Sequence, residues 1–348
     1  MVTVLVVFGF FSILVREQEE SEQLLSRASA VREIHERNPS QIHEEPAGKI
    51  PHAASVSLPS LAVFCIGKEH DPSIDQVVKR FLKPASDYGD GGVGAEAEFH
   101  VMLYLYDEHV FPSLSAWHKD PRITIVYEPK HLLKPEFAAR FLVPTVTAPH
   151  EFVFLWDGDA LLTSGWNPHS YVRVAREHQL DVSQPALDWG SQHSFDFNAV
   201  GQLDKQAPFT PSLFAELGFV VFERRTWDRV RENVLAHHPF KYWCFDALPF
   251  QCLPGVRARN VGVVNQPITH PHGKHLLGIQ TAAPDPVVRA HIDTEIAFAR
   301  KLVACSNCCE FVRKRTDKSN NNGCFPIGHT CPVVNDQVCQ ALNLTFYY

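Results

Sequence analysis

Two aspartates separated by one glycine, Asp157-Gly158-Asp159, directly follow the unbroken apolar run from Phe152 to Trp156. Such a run predicts a strand that is buried on both faces of a parallel sheet, with the two carboxylates at its carboxyl end. Ligands of open α/β sheets bind at that end, where two such carboxylates can hold a hard divalent cation together with a diphosphate. Gly158 has no side chain that would obstruct a phosphate. The alternative is an Asp-Gly turn whose carboxylates only accept hydrogen bonds from backbone N–H groups.

Two further acidic residues are candidates for acid–base chemistry. Glu216 lies just before the apolar run GFVVF, which predicts a strand. Asp246 lies in the aromatic segment YWCFDALPFQC, where neighbouring rings would partly exclude water and make a carboxylate a better general base. The alternative for Asp246 is a helix cap or one partner of a buried ion pair. Asp246 is therefore the first candidate base and Glu216 the second.

Histidines follow a predicted strand in the second half of the chain. The segment NVGVVNQPITHPHGKH predicts a strand that ends at His270, with His272 and His275 close behind. Neutral imidazole can complete the coordination of a borderline cation such as Mn²⁺. Because the chain has 19 histidines, the alternative for each one taken singly is an exposed loop residue.

The elements that must position these residues alternate between strands and helices. The segments SLAVFCIG, EFHVMLYLYD and RITIVYEP predict strands, whereas SIDQVVKRFL and KPEFAARFLVP have the periodicity of helices. Asn167 is predicted to cap a helix that begins at Pro168, and Thr226 is predicted to cap a later one. This alternation predicts an α/β fold with a mainly parallel sheet that is covered by helices on both faces.

The length and charge of the chain indicate a globular protein without a nucleic-acid-binding surface. The chain has 348 residues, of which 45% are hydrophobic, enough to fill a substantial core. The net charge is −7, and the only basic cluster, Arg313-Lys314-Arg315, is short. We therefore predict no nucleic-acid partner.

The amino terminus indicates the secretory pathway. Val2 to Val15 form an almost uninterrupted apolar run, which is short for a helix that must cross about 30 Å of hydrocarbon. It is a signal peptide, a type II membrane anchor or a buried strand. We predict that 1–16 are a signal peptide or anchor, 17–58 a stem, 59–282 a catalytic domain, and 283–348 a helix with a cysteine-rich tail. The protein is then secreted or held in the Golgi or ER membrane.

The tail contains six of the nine cysteines. In an oxidising compartment they would form disulfides, whereas in a reducing one some of them could bind zinc. The irregular spacing and the secretory amino terminus favour disulfides. They are Cys305, Cys308, Cys309, Cys324, Cys331 and Cys339.

Several of these segments, taken in order, resemble the plant-rich domain-of-unknown-function family 707 (DUF707). They run from Leu61 to Gly278 and include GKEHDPSIDQVVKRFL, RFLVP, FVFLWDGDALL, DVSQPALD, ELGFVVFERRTWDRV, YWCFDALPFQC and VGVVNQPITHPHGKHLLG. The pattern is similar to that of glycosyltransferases of the GT-A type. The resemblance implies a Rossmann-like mixed sheet, mainly parallel, that binds a nucleotide sugar.

The resemblance also implies roles for individual residues. Asp157 and Asp159, on either side of Gly158, would bind the metal and the diphosphate, and His270 or His272 would complete the metal shell. Asp246 would be the base or bind the acceptor. The chain departs from the family where Gly158 replaces the usual middle glutamate and where Asn265 replaces a usual aspartate.

The resulting hypothesis is a metal-dependent glycosyltransferase that moves a sugar from a nucleotide-sugar donor to a glycan or another hydroxyl acceptor. Mn²⁺ is the expected cation, with Mg²⁺ as the alternative, and residues 2–15 are a candidate membrane tether. One alternative hypothesis is a metal-dependent hydrolase in which a metal-bound water attacks the substrate. The other is a non-catalytic carbohydrate-binding or structural protein of the secretory pathway.

Overall fold

The computed structural model describes residues 58–89, 97–128, 132–188, 191, 206–212, 215–236, 248, 250–251, 253, 255–271, 290, 294 and 297. All of them lie in the second of the two units, 1–55 and 56–348, into which the chain divides. The predicted amino-terminal segment, the stem up to residue 57, the cysteine-rich tail, Asp246 and His272 lie outside these ranges. Within them, no helix is both long and apolar enough to cross a membrane.

Nine strands form one sheet in this part of the chain. They are β1 (Ser60–Ile66), β2 (Phe99–Leu105), β3 (Ile123–Tyr127), β4 (Phe152–Asp157), β5 (Leu161–Leu162), β6 (Val182–Leu187), β7 (Phe209–Pro211), β8 (Phe219–Glu223) and β9 (Val261–Thr269).

Helices connect and cover the strands. The α-helices are α1 (Asp71–Leu82), α2 (Leu114–Trp117), α3 (Lys134–Phe141), α4 (Pro144–Thr147), α5 (Pro168–Glu177) and α6 (Arg224–Val230). Two 3₁₀ turns, Lys68–His70 and Ala85–Tyr88, flank α1, and a π-helical turn, Arg231–Leu235, continues α6.

The strand order is β3-β2-β1-β4-β8-β6-β9-β5, and β7 pairs with β9. Strands β1 to β4, β6 and β9 run in one direction, while β5, β7 and β8 run in the other. Because the antiparallel β8 lies between β4 and β6, the start of β8 meets the carboxyl end of β4. The predicted fold class, a mixed and mainly parallel sheet flanked by helices, is confirmed.

Each face of the sheet has its own hydrophobic core. Along β1 the side chains alternate between the two cores, so that Leu61, Val63 and Cys65 pack on one face and Ala62, Phe64 and Ile66 on the other. Helices α3 and α6 cover the first face, and α1 and α5 cover the second. The apolar runs in the sequence are unbroken because both faces of these strands are buried.

The helix starts confirm one predicted cap and correct another. The Asn167 side chain accepts hydrogen bonds from the N–H groups of His169 and Ser170, and Pro168 is the first residue of α5, as predicted. The prediction that Thr226 caps α6 is wrong. Glu223 is the cap, and its carboxylate accepts a hydrogen bond from the Thr226 N–H at 2.9 Å. The helix begins earlier because the longer glutamate side chain can reach forward to the Thr226 N–H in its first turn.

Candidate active site

Consecutive residues at the carboxyl end of β4 point to opposite faces of the sheet. In β4, Val153 and Leu155 belong to the core under α3 and α6, whereas Phe154 and Trp156 belong to the core under α1 and α5. This alternation directs Asp157 toward α3 and position 158 toward α1. The acidic segment therefore meets a different set of partners on each side.

On the first side, Asp157 is paired with a lysine that the sequence did not single out. Lys134, the first residue of α3, lies with its Nζ 2.6 Å from Oδ1 of Asp157, and its side chain is only 9% exposed. The same ammonium donates hydrogen bonds to the carbonyl oxygens of Leu217 at 2.7 Å and Gly218 at 3.2 Å. The Asp157 N–H also donates to the Gly218 carbonyl, at 2.8 Å. Lys134 thus joins α3, the end of β4 and the turn before β8.

Asp159 meets His270 because of a very short antiparallel pairing. Strand β5 has two residues, and Leu161 pairs with Thr269 while Leu162 pairs with Ile268. The residues that precede β5 consequently lie beside those that follow β9. Oδ2 of Asp159 is 3.2 Å from Nε2 of His270, and the two side chains are 16% and 10% exposed.

The two carboxylate oxygens of Asp159 have different surroundings. Oδ2 faces His270, but Oδ1 is buried without a hydrogen-bond partner among the described residues. Burial acts to raise the pKa of Asp159, yet the hydrogen bond and charge of His270, with the charges of His70 and Lys134, hold it below its ordinary value. Asp159 is therefore a carboxylate at neutral pH, with one oxygen free to bind a cation.

On the second side, Gly158 fills a space with no room for a side chain. A Cβ at this position would lie 2.6 Å from Cγ2 of Ile66, 3.0 Å from Cγ of His70 and 3.1 Å from the carbonyl oxygen of Cys65. The Gly158 N–H donates to that carbonyl at 3.1 Å. The glycine is thus required by packing against β1 and His70, a different reason from the unobstructed phosphate expected from the sequence.

Glu216 lies in the turn that Lys134 contacts. The residue is 5% exposed, and its N–H donates to Oε1 of Gln184 at 2.7 Å. Gln184 is fully buried in β6 and belongs to the segment SQPALD. Glu216, the second candidate base, therefore directly precedes the two residues whose carbonyls accept hydrogen bonds from the Lys134 ammonium.

The thiol nearest to Asp157 in the sheet is not a nucleophile. Cys65 pairs with Asp157 in the β1–β4 register. Burial raises the pKa of the Cys65 thiol to about 12, and the negative charge of Asp157 adds to this shift while Lys134 opposes it. Because only the thiolate attacks, Cys65 is inert at neutral pH.

The predicted site residues fall into three groups. Asp159 and His270 are brought together, Asp157 and Gly158 directly precede Asp159 at the end of β4, and Glu216 lies in the turn before β8. Asp246 and His272 are outside the described residues, so their roles stay predictions. Within the described part of the chain, no group of three or more His, Cys, Asp or Glu side chains is arranged to hold a metal ion.

Two residues of the site were missed by the sequence analysis, although each carried a signal. A lysine at the first position of a helix is unfavourable beside the positive end of the helix dipole, so Lys134 needed a partner elsewhere. His70 follows β1 just as Asp157 ends β4. The carboxyl-end rule that selected the aspartates applies equally to it.

The family comparison confirms the resemblance. A family model described as "Protein of unknown function (DUF707)" matches residues 32–202. The match begins earlier than the segments quoted above and includes Asp157, Gly158, Asp159 and SQPALD. It ends before Glu216, Asp246 and His270. No curated protein sequence matches the chain.

The chain is also similar to solved glycosyltransferase structures. One is "Mannosyltransferase PcManGT from Pyrobaculum calidifontis in complex with GDP-Man and Mn2+", at 12% identity and a TM-score of 0.41, covering 91% of this chain and 78% of the other. Another is S. aureus TarS 1-349 in complex with UDP-GlcNAc, at 12% identity and a TM-score of 0.41, covering 76% and 74%.

Removing the Lys134 ammonium is expected to destabilise the fold strongly. Lys134→Met leaves the carboxylate of Asp157 without its cation in a largely buried place and removes the ammonium hydrogen bonds to two carbonyls, which costs about 3 kcal/mol. The free energy of unfolding, measured by urea denaturation, checks this. Lys79→Met is the control, because the Lys79 side chain is 74% exposed in its ion pair with Asp75 and its loss should cost less than about 1 kcal/mol. Equal losses in the two variants would contradict the account of Lys134.

Adding one methyl group at position 158 is expected to destabilise the protein by about 2 kcal/mol, because Gly158→Ala collides with Ile66 and the backbone of Cys65. Gly165→Ala is the matched control, since a Cβ there meets nothing within 4 Å. Thermal unfolding of both variants checks the prediction. A Gly158→Ala protein as stable as Gly165→Ala would show that position 158 is not tightly packed.

Proposed function

We propose that this protein is a metal-dependent glycosyltransferase that uses a nucleotide-sugar donor and a hydroxyl acceptor. The observation that carries the proposal is the meeting of Asp159 with His270 at the carboxyl end of β4. This is the edge of an α/β sheet where ligands bind. The match to DUF707, whose pattern is similar to that of GT-A enzymes, supports the same assignment.

Asp159 and His270 suit a divalent cation. The buried Oδ1 of Asp159 has no partner among the described residues, and a carboxylate with an imidazole is a donor set that fits Mn²⁺. In the proposal these two residues hold the metal, and His272 remains a predicted further ligand. A bound divalent cation would neutralise the charge of the nucleoside diphosphate leaving group.

Asp157 has a different role from Asp159 in this proposal. Because Lys134 balances its charge, Asp157 adds little net negative charge to the place proposed for the diphosphate. A less negative site repels the donor phosphates less. The Lys134 contacts also fix the backbone of Asp157, so Asp159 is presented from a rigid strand end.

A carboxylate is the proposed base for the acceptor hydroxyl if the reaction inverts the sugar configuration. Glu216 lies in the turn contacted by Lys134, beside the acidic segment. Asp246 remains the first candidate from the sequence. If the reaction retains configuration, neither carboxylate needs to act as this base.

The cellular setting is also a proposal. The apolar residues 2–15 would direct the chain into the secretory pathway, where it is either secreted or tethered in the Golgi or ER membrane. Nucleotide-sugar donors and glycan acceptors are the partners proposed there.

The test is ligand-induced stabilisation of the full chain. Mn²⁺ together with one member of a panel of ADP, CDP, GDP and UDP is expected to raise Tm by about 5 °C at about 100 times Kd. Asp159→Asn should abolish the rise, because the amide loses the charge that binds the cation. Asp87→Asn, an exposed aspartate, should leave it unchanged.

Other outcomes would favour the other functions. Stabilisation by Mn²⁺ alone, together with turnover of phosphate or carboxylate esters, would support a hydrolase. Glycan binding that survives Asp159→Asn, with no effect of metal or nucleotide, would support a binding protein. Either result would overturn the transferase proposal.

A further inference from the structure

His70 is a buried histidine beside the acidic segment that none of the roles above uses. It ends the 3₁₀ turn after β1, and its side chain is 8% exposed. Its ring occupies the space that a side chain at position 158 would otherwise enter, with Cγ 3.0 Å from an ideal Cβ there. His70 therefore lies directly across from the glycine that replaces the family's usual glutamate.

Backbone contacts fix which ring nitrogen of neutral His70 carries the proton. The Gly67 N–H donates to Nδ1 at 2.9 Å, so Nδ1 is an acceptor. The proton of the neutral ring is then on Nε2. The contacts of His70 with Gly67 and Tyr106 both involve Nδ1, and Nε2 has no hydrogen-bond partner among the described residues.

The donor lies where an anion is favoured. His70 is the N-terminal cap residue of the 12-residue helix α1, and its side chain does not cap the helix. The start of α1 lies against the acidic segment, since the Ser73 hydroxyl contacts the carbonyl oxygen of Gly158 at 3.5 Å. The helix dipole favours an anion at such a place.

The nearby acids are engaged by other groups. Asp71 pairs with Nε2 of His109 at 2.8 Å. Glu69 accepts a hydrogen bond from the Tyr106 hydroxyl. Asp107 accepts hydrogen bonds from the N–H groups of Lys68 and His109. Their charges are thus partly balanced before any ligand arrives.

We propose that His70 binds the donor diphosphate, with its Nε2–H donating a hydrogen bond to a phosphate oxygen. This inference rests on the proposed transferase function and adds a hydrogen-bond donor beside the acidic segment. The diphosphate would lie between the cation site on one side and the start of α1 on the other. Gly158 then serves to admit the His70 ring, which a glutamate at this position would displace.

Three substitutions in the full chain distinguish a role of His70 as a hydrogen-bond donor from a role in packing alone. His70→Gln keeps an N–H donor at about the position of Nε2, His70→Met has nearly the same size without a donor, and His70→Asn is too short to reach. With Mn²⁺ and the nucleoside diphosphate that binds wild type most tightly, calorimetry should show affinity within about threefold of wild type for His70→Gln. His70→Met and His70→Asn should each bind about tenfold more weakly.

The corresponding nucleoside, which lacks phosphates, should bind all the variants equally. Loss of nucleoside affinity in His70→Met would overturn the phosphate contact, and equal loss in all three variants would overturn the donor role. If His70→Met does not fold, His70→Asn decides the test. Unchanged diphosphate binding in these variants, while Asp159→Asn abolishes it, would refute the role of His70 and leave the transferase proposal intact. Failure of wild type to bind any nucleoside diphosphate would instead refute both.

Discussion

The ammonium group of Lys134 is the contact on which the geometry of the candidate site depends. It binds the Asp157 carboxylate and two carbonyls of the turn before β8, so all three of its N–H donors are used. Removing one partner of a buried ion pair costs far more than losing an exposed one, because the remaining charge stays in a medium of low dielectric constant. Without Lys134, Asp157 and the turn that contains Glu216 would lose their common anchor, and Asp159 would no longer extend from a fixed strand end.

The two-faced burial of β4 explains why neighbouring residues of one short segment have such different surroundings. The Asp157 side chain points to the side of α3, where it pairs with the Lys134 ammonium. Gly158 faces the side of α1, where its lack of a side chain leaves room for Ile66 and His70. Asp159 lies beyond the strand, where the β5–β9 pairing brings His270 to it. The three residues of one sequence motif thus have three different roles: Asp157 forms an internal salt bridge, Gly158 makes a packing contact, and Asp159 forms with His270 a pair able to bind a cation.

The sequence predicts the parts of this arrangement that have local causes. The apolar run before Asp157 reflects a strand buried on both faces, and the cap at Asn167 reflects the short reach of its own side chain. The contacts that assemble the site are not local. A two-residue strand such as β5 has no periodicity to detect. Lys134, at the start of α3, is separated along the chain from Asp157, at the end of β4, by the rest of α3, by α4 and by β4 itself. Glu223 rather than Thr226 caps α6 because side-chain reach, not residue preference alone, decides between neighbouring candidates.

A crystal structure of the full chain with Mn²⁺ and the nucleoside diphosphate it binds, with the cation located by its anomalous scattering, would show whether Asp159 and His270 hold the metal. We predict an anomalous peak bonded to Asp159 and His270, the diphosphate beside it at the carboxyl end of β4, and Asp157 still paired with Lys134. A cation or nucleotide bound elsewhere on the protein, with Oδ1 of Asp159 still without a partner, would contradict it.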